Sequence, residues 1–392
     1  MERVTYTVSR RMVLGVLFAV MMTASMLALP MMNTEADDGS GTVRVASIAD
    51  LTDFNIFNLG TNSVHKINML KWTYEGLAAF DIDNEPYPRL ATGWTFYEDT
   101  LTVDVELRQG VLFHDGVEMT ADDVVYSYLM MRSGTTYSDA LTQAFDANGD
   151  GTVSIDEFGA GVEKTEEYTV RSALAAPNPP SFSKTLTVPI LPMHIWDDPM
   201  NGFTDYMDRV VVTASDELMT VGTGPFYYAG GVRDDYRVLE KSDLYWGEGV
   251  LTPSGYDLYP PNVDRLEFLI TFNMDAALIA LKRGDVDYIS ASVPAASLSA
   301  IDTDPSISID YMADSGYFYL AFNEKKEPFG SLAFRQAVSH LIDKEQIAEV
   351  YLGGMGVEGS AVVPPYFDGW HNDAVTEYVY DDPTDPTTTI PE

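Results

Sequence analysis

Residues 107–131 read LRQGVLFHDGVEMTADDVVYSYLMM, and the way this stretch divides decides the fold around it. Leu107, Val111 and Phe113 form the apolar side of a strand, and His114-Asp115-Gly116 supply a tight turn to end it. Thr120 stands where an N-cap belongs. Asp122 and Asp123 follow in the first turn, where a helix N-terminus favours negative charge. Val124, Val125, Tyr128 and Leu129 then recur on one helical face, so the helix docks on a core. The stretch holds one histidine and neither a nucleophile nor a partner base, so it carries structure rather than catalysis.

As a string, L-R-x-G-V-x-F-H-D-G-x-x-x-T-A-x-D-V resembles the signature of the family 5 extracellular solute-binding proteins, the oligopeptide, dipeptide and nickel receptors of ABC importers. Under that resemblance Phe113, His114, Asp115 and Gly116 are structural positions. One imidazole makes no metal site. Further strings extend the likeness along the chain: Pro88-Arg89-Leu90-Ala91 with Gly93-Trp94, Tyr168 to Arg171, Pro177 to Ser183, and Ile190 to Trp196 with His194 as a packing position. Val221 to Phe226, Asp243 to Gly247, and Asp285 to Ile289 behind a helix continue it. Gly222, Gly224 and Pro225 let the backbone turn sharply and approach other main chain. A phosphate-binding loop is excluded there, because no Gly-Lys-Ser/Thr follows.

Composition narrows the function classes. The chain has 392 residues, 46% of them hydrophobic, with 18 Phe and 23 Tyr, enough for two or three core-forming units. A net charge of −37 argues against nucleic acid and anionic membrane surfaces as partners. Cysteine is absent, which removes disulfides, thiolate metal sites, cysteine catalysis and a lipidated N-terminal cysteine.

The N-terminus carries Arg3, Arg10 and Arg11, then an uncharged run from Met12 that ends at Pro30. Residues 1–36 are therefore an export signal or a signal anchor. Residues 12–32 are long enough to cross a bilayer as a helix, which places the protein at the outer face of the cytoplasmic membrane, in the periplasm or outside the cell. Beyond it, Val43, Val45 and Ser47 alternate as a first strand, and residues 68–78 read as a helix. Asp275 is expected to cap the helix AALIALKRG, which Gly284 stops. Phe318 to Asn323 read as a strand, Ser331 and Asp343 as caps of two helices, and His340 as a partly buried residue. Val362 to Pro365 is the last recognisable point of the resemblance, and a polar, proline-rich tail follows.

One segment falls outside the family pattern. Residues 146–157, DANGDGTVSIDE, fit the calcium-loop pattern of the EF-hand without a mismatch. Asp146, Asn148 and Asp150 take positions 1, 3 and 5, and Gly151 makes the turn. Thr152 offers its carbonyl, Ser154 sits at the water-mediated position, and Glu157 closes the shell. Hard oxygen donors suit Ca²⁺ and disfavour zinc, with an expected affinity of roughly 10⁻⁴ to 10⁻³ M. A solvated acidic turn is the competing reading.

The resemblance implies an α/β, two-lobed protein of the periplasmic-binding type with an extra small domain. The first lobe would be split over residues 42–85 and 205–305, the inserted domain would be 86–204, and residues 306–392 would form a partial second lobe and a tail. It implies capture of a short peptide or similar solute and delivery to an ABC permease with its ATPase, by closure of two lobes over the ligand. No enzyme activity is expected, since no catalytic cluster stands at useful spacing. Trp72, Tyr74, Gly224, Tyr319 and Asn323 are the candidate ligand contacts, with core packing the alternative for Trp72 and Asn323. No Asp or Arg matches the family's anchors for peptide termini. The rival function is a calcium-binding cell-surface protein derived from the family and no longer active in transport.

Overall fold

The computed structural model describes residues 41–391, apart from 51–53, 58–65, 67–68, 82–84, 133–134, 136, 178, 198–214, 216, 254–262, 299–300, 302, 311–316, 360, 364–370, 373–378 and 382–388. The export segment, Pro364-Pro365 and most of the proline-rich tail lie outside the described residues. The chain divides into two compact units, Met1–Ala291 and Ser292–Glu392. The division falls ahead of residue 306, where the sequence placed the start of the second lobe.

Among its described residues unit 1 contains a five-stranded sheet, a four-stranded sheet and a two-stranded ribbon. Strand β1 (Thr42–Ser47) buries Val45 and Ala46. A short hairpin of β2 (Ala78–Phe80) and β3 (Pro86–Pro88) follows, then β4 (Ala91–Tyr97) and β5 (Thr102–Leu107). Val103, Val105 and Leu107 alternate inward along β5, as half-buried strands require. Helix α1 (Ala121–Met131) is entered through a capping box: the Thr120 hydroxyl accepts from the Asp122 amide, and the Asp123 carboxylate accepts from the Thr120 amide at 2.8 Å. Helices α2 (Ser138–Phe145) and α3 (Ile155–Gly161) flank the acidic loop, and β6 (Val162–Glu166) and β7 (Thr169–Ala173) complete the second sheet in the order β4-β5-β7-β6, all antiparallel. Arg171 on β7 stands opposite Asp104 on β5 and grips both carboxylate oxygens at 2.6 Å.

Helices α4 (Pro179–Thr185) and α5 (Met193–Trp196) lead back toward the first sheet. That sheet adds β8 (Phe226–Val232), β9 (Tyr236–Lys241), β10 (Arg265–Ile270) and, after helix α6 (Met274–Arg283), β11 (Tyr288–Ile289). Its order is β11-β1-β10-β9-β8, with β1 parallel to both β10 and β11. The β10–α6–β11 crossover therefore spans β1, and α6 packs on β1 and β11. One continuous core runs from Val45 and Phe54 through Phe113, Tyr128 and Trp196 to Phe226 and Phe268, joining the two sheets. Unit 2 carries α7 (Ala295–Leu298), α8 (Leu332–Leu341) and the short α9 (Lys344–Gln346).

Several expectations are corrected. The strand through Leu107 ends there, because Gly110 adopts φ +74° and redirects the chain; Val111 and Phe113 belong to a separate small hairpin closed by bonds such as Met119 N–H to Val111 carbonyl at 2.9 Å. Residues 71–77 are not helical, since the backbone of Trp72 and Thr73 is used in a tertiary pairing described below. Asn273 caps α6 in place of Asp275: its side chain accepts from the Ala276 amide at 2.8 Å. Helix α1 is buried on more than one face, with Tyr126, Ser127 and Met130 enclosed as well as Val124 and Tyr128. Residues 318–323 form no strand, the Ser331 side chain makes no capping bond, and His340 is exposed.

Candidate functional site

Segments far apart in the sequence meet around the carboxylate of Glu75, which is 6% exposed. Its Oε1 accepts from the Arg89 guanidinium and from the Tyr245 hydroxyl, the latter at 3.1 Å. Its Oε2 accepts from the Thr223 hydroxyl at 3.2 Å and from the Trp246 indole N–H at 2.7 Å. Burial by itself would lower the Arg89 pKa, but the Glu75 carboxylate beside it holds the guanidinium charged. Burial, reinforced by Glu75, pushes the Tyr245 phenol well above its ordinary range, so it stays a neutral donor. Arg108 stacks over the Trp246 ring at 4.4 Å and donates to the Arg89 carbonyl at 3.3 Å.

The turn at Gly222–Pro225 is drawn onto the same segment. Gly224 N–H donates to the Thr73 carbonyl at 2.9 Å and Phe226 N–H to the Trp72 carbonyl at 3.1 Å. A Cβ on Gly222 would lie 2.0 Å from the Thr73 carbonyl oxygen, and one on Gly224 2.3 Å from that of Trp72, so only glycine permits this approach. His114 locks the turn from the other side. Its Nδ1 accepts from the Gly222 amide at 3.2 Å, which leaves Nε2 to donate to the Gly224 carbonyl at 2.7 Å. Burial holds this imidazole below its ordinary value of 6.5, in keeping with the neutral tautomer the two bonds require. His194 contacts Asp115 at 2.6 Å beside the Phe113 ring, a packing and turn role.

Unit 1 thus brings Trp72, Tyr74 and Gly224 together. Tyr74 is 5% exposed, and its hydroxyl donates to the Met219 carbonyl at 2.7 Å. Trp72, 8% exposed, rests edge-on against Phe226 with centroids 5.6 Å apart. Tyr319 and Asn323 belong to unit 2, where Tyr319 is 77% exposed beside Tyr317, and the Asn323 side chain accepts from the Lys325 amide at 3.2 Å. The sequence reading missed Glu75, which carries no motif of its own. The signal lay in three of the family strings, Pro88–Ala91, Val221–Phe226 and Asp243–Gly247, which between them supply its four donors.

In the acidic loop, Asp146 accepts from the Gly149 and Gly151 amides at 2.7 and 2.8 Å, and Asn148 from the Asp150 amide at 2.8 Å. Asp150 accepts from the Thr152 amide at 2.9 Å, and Glu157 Oε2 from the Ser154 amide and hydroxyl at 3.0 and 2.7 Å. Among the described residues no three His, Cys, Asp or Glu side chains are gathered closely enough to hold a metal ion as they stand. No helix among them is long and apolar enough to cross a membrane.

The chain is mixed α/β, and three of its signature strings converge on the buried Glu75 carboxylate. Residues 85–387 match the model of the bacterial extracellular solute-binding proteins, family 5, in its middle region, and the chain belongs to that family. It is 27% identical over 319 residues to the dipeptide-binding protein of Escherichia coli K12, covering 79% of this chain and 55% of that protein. To the oligopeptide-binding protein AppA of Bacillus subtilis it is 28% identical over 323 residues, covering 81% of this chain and 52% of that protein. The solved structure of AppA in complex with a nonapeptide superposes with a TM-score of 0.64 at 25% identity, over 83% of this chain and 58% of that one. The fold is accordingly the α/β fold of the two-lobed periplasmic binding proteins. The chain spans about half the length of the curated relatives it matches.

Proposed function

We propose that this protein is the solute-capturing component of an ABC importer, that its solutes are short peptides, and that it delivers them to a membrane permease without chemical turnover. The observation that carries this reading is the family membership together with relatives described as dipeptide- and oligopeptide-binding proteins. The hub at Glu75 supports it physically. It holds the Trp72–Glu75 segment and the Gly222–Pro225 turn as one rigid piece, as a preorganised binding wall requires. The basic N-terminus and the apolar run at residues 12–32 support export, with retention at the outer face of the membrane by that segment. The relatives reported above are peptide-binding proteins, and none of them favours the calcium-dependent surface-protein alternative.

The test is uptake by the source cell. Deletion of the gene is expected to abolish accumulation of labelled di- to pentapeptides, and its return on a plasmid to restore it. Undiminished peptide uptake, with loss of some other solute, would place the protein with a different ligand.

A further inference from the structure

We propose that residues 146–157 form a Ca²⁺ site that stabilises the antiparallel-sheet part of unit 1. The inference goes beyond solute capture and does not depend on it. The loop joins α2, which ends at Phe145, to α3, which begins at Ile155, in the helix–loop–helix order that oxygen-ligated calcium loops use. Gly149 and Gly151, at φ +75° and +85°, bend the backbone between the side chains of Asp146, Asn148 and Asp150.

A separate observation points to a cation. Oε1 of Glu157 is sealed from solvent and has no hydrogen-bond partner, while Oε2 of the same carboxylate is held on Ser154 within the loop. A buried carboxylate oxygen without a donor is unfavourable unless an ion or water satisfies it. Among the described residues no Lys or Arg forms an ion pair with Asp146, Asp150, Asp156 or Glu157. A divalent cation bound by Asp146, Asn148, Asp150, the Thr152 carbonyl and both Glu157 oxygens answers both deficits, and an all-oxygen set selects Ca²⁺ over zinc. The loop is anchored for such a role. Phe145 and Phe158 are buried with ring centroids 6.4 Å apart, Val153 is buried, and α3 packs on β6 and β7. Ion binding therefore couples directly to the stability of that sheet.

The test uses the full chain in detergent, with the thermal unfolding midpoint followed against CaCl₂ in a constant background of NaCl and MgCl₂. The midpoint is expected to rise and saturate with an apparent Kd of about 10⁻⁴ to 10⁻³ M. Glu157→Gln is expected to weaken the response at least about tenfold, the order expected when a primary oxygen ligand loses its charge. Asp156→Asn removes a neighbouring charge that is not a ligand and is expected to leave the response unchanged. Asp146→Asn, which leaves the Ser154–Glu157 cap intact, repeats the test should Glu157→Gln fail to fold. Equal responses in wild type and the ligand variants, or an equal loss in Asp156→Asn, would overturn the proposal in favour of diffuse attraction to an acidic chain.

Discussion

Replacing Glu75 by leucine removes the acceptor on which Arg89, Thr223, Tyr245 and Trp246 converge. Arg89 is 8% exposed, so the variant leaves a buried cation without its carboxylate. Breaking one side of a buried ion pair costs about 3–5 kcal/mol, because the remaining charge keeps its desolvation penalty and loses its attraction. For a folding unit of this size that is a fall in Tm of roughly 6–20 °C. Differential scanning calorimetry of the wild type, Glu75→Leu, Arg89→Met and the double variant measures it. The double variant removes both charges together and is expected to be more stable than Glu75→Leu alone, the coupling expected of residues in direct contact. A Glu75→Leu variant within about 1 kcal/mol of wild type, or a double variant that loses the sum of the two single losses, would refute the assignment of Glu75 as the hub; 1 kcal/mol is the order of an ordinary hydrogen bond.

Three further outcomes are expected. His114 is held below 6.5 by burial, against the opposing effect of its bond to Gly224 and of nearby Glu75 and Asp115. Its stabilising contribution is therefore complete above about pH 6.5 and is lost as pH falls through the lower folded-state value. The stability gap between wild type and His114→Gln, measured by denaturant melts, should narrow between pH 7.5 and 5, a range of about 2.5 units that spans the free imidazole value; a gap independent of pH would contradict the neutral tautomer. Gly224→Ala should destabilise unit 1 by about 1–3 kcal/mol or more, because a Cβ would stand 2.3 Å from the Trp72 carbonyl oxygen and backbone must move; a neutral effect in chemical denaturation would show that the approach is not obligatory. In unit 2, Phe318 is 94% exposed, Tyr319 77% and Leu341 83%. The chain should accordingly self-associate in sedimentation experiments. A sample that stays monomeric at all concentrations would be inconsistent with that expectation.

Sequence alone determined those features whose physics is local. The N-cap at Thr120 needs only neighbouring residues, and it formed as read; the structure adds the reciprocal Asp123 bond that makes it a capping box. Gly284 ends α6 in the left-handed conformation because the chain there needs no Cβ. The alternation of Val103 and Val105 places β5 on a core face. The family strings were also legible, since they are runs of adjacent residues. What those strings do was not legible. Glu75 has no motif, and its importance rests on partners brought from as far away as Trp246. The segment from Lys71 to Leu77 has a helical composition, yet its carbonyls are taken by Gly224 and Phe226, and tertiary pairing overrides local propensity. The same holds at Gly110, where one left-handed residue turns a long apolar strand into a strand and a hairpin. Likewise Asn273 and Asp275 are both acceptable caps by composition, and only the extended backbone at Asn273, with φ −155° and ψ 159°, decided between them. Short-range hydrogen bonding is written in neighbouring residues, whereas the hub exists only once distant backbone has been folded to within a Cβ of contact.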